Sequence, residues 1–145
     1  MITEHVTHFT VYPEMCNHFH TEENKPMIHG GYLTMQMDRC AADLARLALF
    51  SSVYMPVGQK QLKYRADYAV TVGIENIRFN FGASQGDLLR LNAVVDRLGN
   101  RRISIVVTVL RIRENGSRLM ASGLFHFCAM SSETGKSHSH GLRLE

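Results

Sequence analysis

The chain has 145 residues, of which 45% are hydrophobic and 20% charged, so it is long enough for one self-supporting domain and its composition is that of a globular protein. The net charge of +3, with the basic residues scattered rather than in a run, argues against nucleic acid and permits an anionic small ligand. Three widely spaced cysteines, Cys16, Cys40 and Cys128, with no CxxC pair, exclude a disulfide framework and point to a reducing, cytoplasmic compartment. Neither a signal-peptide pattern nor an apolar run of membrane-spanning length is expected.

In chain order, "HVTHFTVY" (5–12) partly alternates and predicts a short strand. Residues 13–29, polar and holding two prolines, predict a long loop, a kind that is usually functional or mobile. Residues 30–50 carry the one long helical pattern. At 100° per residue, Leu33, Met37, Cys40, Leu44 and Ala48 form a core stripe, while Gln36, Arg39, Asp43 and Arg46 form a solvated one. Asp38 belongs to neither stripe. It lies beside Thr34, Ala41, Ala42 and Ala45, small neighbours that leave room for a ligand against the helix. The bland alternative is an acid favoured by the positive end of the helix dipole. The helix opens on Gly30-Gly31, a poor start unless backbone must be approached closely. Bare N–H groups there suit the oxygen of a polarised carbonyl.

Residues 51–67 form a mixed connection with Pro56, Gly58, Lys60, Lys63 and Arg65. Strands are expected at 69–81, 87–98, 103–113 and 118–130, with a hairpin signal at Asn115-Gly116. Within the first of these, Val70, Val72 and Ile74 share one parity and Ile77, Phe79 and Phe81 the other, which implies a bulge near Glu75–Asn76. The tail from Ser131 has little to bury and is expected to fray. The expected organisation is a single α+β domain over residues 1–130 with a flexible tail at 131–145. A curved antiparallel sheet wraps one long central helix. The sheet's edges make a dimer the sensible way to cover them.

The segment "HGGYLTMQMD", His29 through Asp38, resembles the signature of hot-dog-fold acyl-CoA thioesterases, in which a His-Gly-Gly or Phe-Gly-Gly opens the central helix and an Asp follows at this spacing. "PEMCNHF" is similar to the Pro-x-x-x-Asn segment of the YciA-like branch of these YciA-like and PaaI-like hydrolases, and Gly86-Asp87 to the family's turn into its third strand. The resemblance spans roughly residues 8–130. It implies the hot-dog fold and hydrolysis of an acyl-CoA thioester. It makes Asp38 the base or nucleophile, Gly31 the amide that holds the carbonyl oxygen, and Asn17 the residue that orients water or carbonyl. It implies a site shared between two subunits of a homodimer, with tetramers or hexamers open, and no cofactor or metal, coenzyme A being part of the substrate. Gly30, His29, Thr34, Glu75 and Asn76 are candidates for substrate contact; His29 has a bland reading as a residue packing where the helix begins, and Glu75 and Asn76 one as markers of curvature. Arg101, Arg102, Lys60, Lys63 and Arg65 are candidates for the coenzyme A phosphates with a bland reading as solvated bases in turns, and none is assigned as a ligand. Cys40 reads as a buried structural thiol. His18, His20 and His29 match no standard metal spacing. The stretch between Asn17 and Gly30 is longer than in the YciA-like branch, which leaves open a dehydratase or hydratase on the same fold, with His18 or His20 working with Asp38. A non-catalytic acyl-CoA binding module is the third reading.

Overall fold

The computed structural model describes residues 1–51 and 66–144, with only the backbone of Ser51. The bases Lys60, Lys63 and Arg65 lie outside the described residues. In chain order come β1 (Glu4–Thr10), a single 3-10 turn (Pro13–Met15), β2 (Cys16–His20), β3 (Pro26–Ile28), α1 (Gly30–Ser51), β4 (Tyr68–Phe79), β5 (Leu88–Leu98), β6 (Arg102–Arg113), β7 (Gly116–Ser131) and β8 (Lys136–Ser137).

The main sheet runs β1-β5-β6-β7-β4, all antiparallel, with β8 added to β7. Alternation explains how it covers the helix. Leu89, Leu91 and Ala93 of β5, Ile103, Ile105, Val107 and Val109 of β6, and Phe125, Phe127 and Ala129 of β7 are buried toward α1. Against them lies the expected helical stripe, with Leu33, Met37, Leu44 and Ala48 fully buried and Cys40 nearly so. Arg39, Asp43 and Arg46 are exposed on the opposite face of α1. A curved antiparallel sheet around one long helix is the hot-dog fold.

Three local expectations are corrected. The stretch 13–29 is no simple loop: β2 and β3 pair as a hairpin, turning at Asn24 with φ 57°. Backbone bonds strap it to the segment before β5, where Ile28 N–H donates to Ala83 O at 2.8 Å and Gln85 N–H to Pro26 O at 3.1 Å. Its far end is held by Arg113, which pairs with Glu23 at 2.7 Å and with the buried Asp87 at 3.0 Å. The tail also has more to bury than its composition suggests. His138 N–H donates to Ala129 O at 3.0 Å, and Leu142 is only 7% exposed. His140 is buried too, with its N–H donating to Asn100 O at 3.2 Å. The β6–β7 turn lies over Glu114-Asn115, since Arg113 pairs with Gly116; the glycine follows the turn at φ 123°, where its lack of a Cβ matters.

Strand β4 ends the sheet, with one edge unpaired among the described residues. The inferred bulge is present between Glu75 and Arg78, with Asn76 at φ 55°, and a second register shift lies between Thr71 and Gly73. Val70, Val72 and Ile74 are all exposed along this terminal strand. The first shift divides them: Val70 lies opposite Cys128 before it, and Ile74 opposite the core-facing Phe125 after it. Thr71 lies opposite the core-facing Phe127.

Candidate active site

The helix begins at His29. Its carbonyl accepts the first helical bond, from Leu33 N–H at 3.0 Å. Its ring Nδ1 accepts from Gly31 N–H, also at 3.0 Å. A neutral His29 therefore carries its proton on Nε2, and the imidazole serves as the helix cap in place of Ser or Asp. A Cβ on Gly31 would stand 3.1 Å from the ring, so glycine is what lets the imidazole reach the amide. Thr34, one turn on, commits its hydroxyl to Gly30 O at 2.9 Å.

Under this tip lies a cavity of about 320 Å³, lined by Asn17, Met27, Gly30, Leu33, Phe79 and Met120 among others. It is apolar apart from the Asn17 amide and the glycine backbone. Asn17 reaches it from the start of β2, and its Oδ1 accepts from Phe19 N–H at 2.9 Å, which orients the carboxamide. The hairpin correction matters here, because strapping β2 and β3 to the sheet is what carries Asn17 to the helix tip.

Asp38 lies eight residues beyond Gly30, about 12 Å along the axis at 1.5 Å per residue. Its Oδ1 accepts from the Thr71 hydroxyl at 2.7 Å, an ordinary length for a hydroxyl donating to a carboxylate. Thr71 comes from β4, one of the sheet's two terminal strands. Thus the structure joins Asn17 with Gly30 at the helix tip and Asp38 with Thr71 at the sheet's edge, and one chain keeps these two groups apart. Thr71 escapes sequence reading; its one trace is a hydroxyl on the strand parity opposite Val70 and Val72.

Glu75 and Asn76 sit at the bulge, but Glu75 is not brought to the helix side. It bonds to His126 Nε2, and His126 alternates with the core-facing Phe125 and Phe127, so the pair lies on the sheet's outer face. Ser104 Oγ and His126 Nδ1 are 2.7 Å apart, completing a Ser-His-Glu chain whose serine and histidine are buried and whose glutamate is exposed. Cys40 is buried, and burial pushes its thiol pKa up, with Thr7 hydrogen bonding opposing; such a thiol is inert. Arg101 donates to Ser137 Oγ at 2.8 Å, holding β8. His18 and His20 are exposed on β2. Among the described residues, no group of three or more His, Cys, Asp or Glu side chains is placed to hold a metal ion.

A sequence model of the thioesterase superfamily matches residues 26–116. The chain belongs to the thioesterase superfamily. Solved structures of similar fold include an acyl-CoA hydrolase from Staphylococcus aureus in complex with butyryl coenzyme A. It is 24% identical with TM-score 0.73, over 95% of this chain and 71% of that one. A hexameric thioesterase from Yersinia pestis is 21% identical with TM-score 0.69, over 96% of this chain and 94% of that one. A hexameric hot-dog-fold thioesterase of Campylobacter jejuni is 20% identical with TM-score 0.68, over 92% of this chain and 86% of that one. No curated protein matches the chain. In this member of the superfamily the matched segment runs from β3 through α1 to the β6–β7 turn. It therefore contains the helix tip, Asp38 and Thr71, while Asn17 lies upstream of it.

Proposed function

We propose that this protein is an acyl-CoA thioesterase whose active site forms between two copies of the chain. The observation that carries the reading is the Asp38–Thr71 pair, a carboxylate oriented by a hydroxyl at 2.7 Å and borne beside the β4 edge of the sheet. Pairing β4 with β4 of a second copy covers the exposed Val70, Val72 and Ile74. It also lets each copy's helix tip approach the other's carboxylate, which one chain alone does not achieve. Solved variants of the Staphylococcus aureus hydrolase replace an asparagine, an aspartate or a threonine by alanine, and Asn17, Asp38 and Thr71 offer the same three residue types.

In this mechanism the thioester carbonyl oxygen takes the Gly31 N–H in place of His29 Nδ1, the imidazole turning aside. Asn17 orients the carbonyl or the attacking water, and Gly30, with His29 and Thr34 beside it, borders the acyl group. Asp38 takes a proton from water as its oxygen bonds to the acyl carbon. The tetrahedral oxyanion collapses, the C–S bond breaks, and the proton passes to the departing thiolate. The products are a free acid and coenzyme A, and the reaction uses no cofactor. A cytoplasmic setting fits the three free thiols. No helix among the described residues is long and apolar enough to cross a membrane.

The test is thiol release from acyl-CoAs of rising chain length, with Asp38→Asn beside the native protein. Loss of a general base lowers kcat by roughly 10²–10⁴-fold. No release from any acyl-CoA by folded, dimeric protein would overturn the reading and move the search to enoyl or hydroxyacyl thioesters, or to binding without turnover.

A further inference from the structure

Beyond the apolar cavity lies a second cleft of about 240 Å³ that shares Met27, Phe81 and Gly82 with it. Two arginines line this cleft, Arg111 of β6 and Arg118 of β7. They are direct partners in the strand register, an arrangement that like charges disfavour. Both stack on the Phe81 ring, at 4.6 Å and 4.0 Å from its centroid. Stacking holds the guanidinium planes and leaves their in-plane N–H groups free to donate. Among the described residues neither arginine forms an ion pair, and Arg111 Nε is buried with no hydrogen-bond partner. A buried donor without an acceptor is costly, and a ligand oxygen would remove that cost. The acids nearby do not fill the role. Glu23 is bound to Arg113, which also holds Asp87, and Glu22 is exposed on the rim beside His20.

We propose that Arg111 and Arg118 form an anion-binding subsite for an oxyanion group carried by the substrate, reached through the cavity under the helix tip. Naming that ligand as part of a thioester rests on the proposed function; the subsite itself rests on the arginines. Two sources share this chemistry: the phosphates of the coenzyme A carrier, and a carboxylate at the end of the acyl chain.

Calorimetric titration separates them with three probes: coenzyme A, pantetheine (the same arm without phosphates), and glutaryl-pantetheine (no phosphate, but a terminal carboxylate). Arg111→Gln and Arg118→Gln are compared with the native protein, and Arg39→Gln on the solvated face of α1 is the charge control. Loss of about tenfold in affinity for coenzyme A, with pantetheine unchanged, assigns the subsite to the carrier phosphates; the same loss for glutaryl-pantetheine assigns it to the acyl carboxylate. Losses no greater than those of Arg39→Gln for both anionic probes overturn the proposal. In the native protein the Arg111 Nε–H resonance should move on saturation with the anionic probe that binds, and an unmoved resonance overturns it too, whatever the variants do to folding. Binding needs no turnover, so failure to hydrolyse any thioester would count against the thioesterase reading alone.

Discussion

Replacing Thr71 by valine keeps the side chain's shape and removes the hydroxyl that donates to Asp38 at 2.7 Å. A hydrogen bond to a charged group contributes about 1.5–3 kcal/mol net. Thr71 is exposed and Asp38 half-buried, so the lower end of that range applies. A loss of about 1.5 kcal/mol corresponds to a little over tenfold in rate. The loss belongs in kcat, because the bond aims the carboxylate and touches no remote part of the substrate. Thiol release from a saturating acyl-CoA measures it, run on native protein, Thr71→Val, Asp38→Asn and the double variant. If the hydroxyl acts only through the carboxylate, Thr71→Val changes little once Asp38 is asparagine, and Thr71→Ser restores most of the native rate. Equal losses in both backgrounds would refute the coupling. An unchanged kcat in Thr71→Val, with Asp38→Asn inactive, would refute the orienting role.

Further outcomes follow from other contacts. His29→Ala removes the acceptor that occupies Gly31 N–H; the lost cap costs about 1 kcal/mol and lowers Tm by a few degrees, while kcat/KM holds or rises, and a hundredfold fall would instead give His29 a direct part in holding substrate. Leu142→Ala uncovers the packed tail; losing roughly 2 kcal/mol of burial lowers Tm by roughly 4–8 °C in a scanning calorimeter, and an unchanged Tm would show that the tail does not support the sheet. The Arg113 hydrogen bond holds the Glu23 carboxyl below the usual carboxylate range. A depressed pKa adds stability that is complete above the unfolded value and lost as pH falls through the folded one. Glu23→Gln is therefore less stable than native at neutral pH, and the gap closes below about pH 4; a gap that widens in acid would contradict the sign.

What the amino-acid order determined by itself is whatever repeats locally. The helix Gly30–Ser51 is legible because Leu33, Met37, Cys40, Leu44 and Ala48 recur at the helical period, and burial of one face selects that period. Strands β5, β6 and β7 are legible by alternation, and the bulge near Glu75–Asn76 by a break in it. Asp38 stands out as an acid that neither stripe accounts for. What tertiary structure decided are the contacts between polar groups far apart in the chain. Thr71 and Asp38 are separated by 33 positions, and Glu75 and His126 by 51. The β2–β3 hairpin is strapped down mainly by backbone N–H and C=O groups, which every residue carries, so its side chains hold no periodic trace. The tail docks through two buried residues, Leu142 and His140, too few to make a pattern. Apolar periodicity is set by which face meets the core, whereas a hydrogen bond needs only one donor and one acceptor brought together by the rest of the fold.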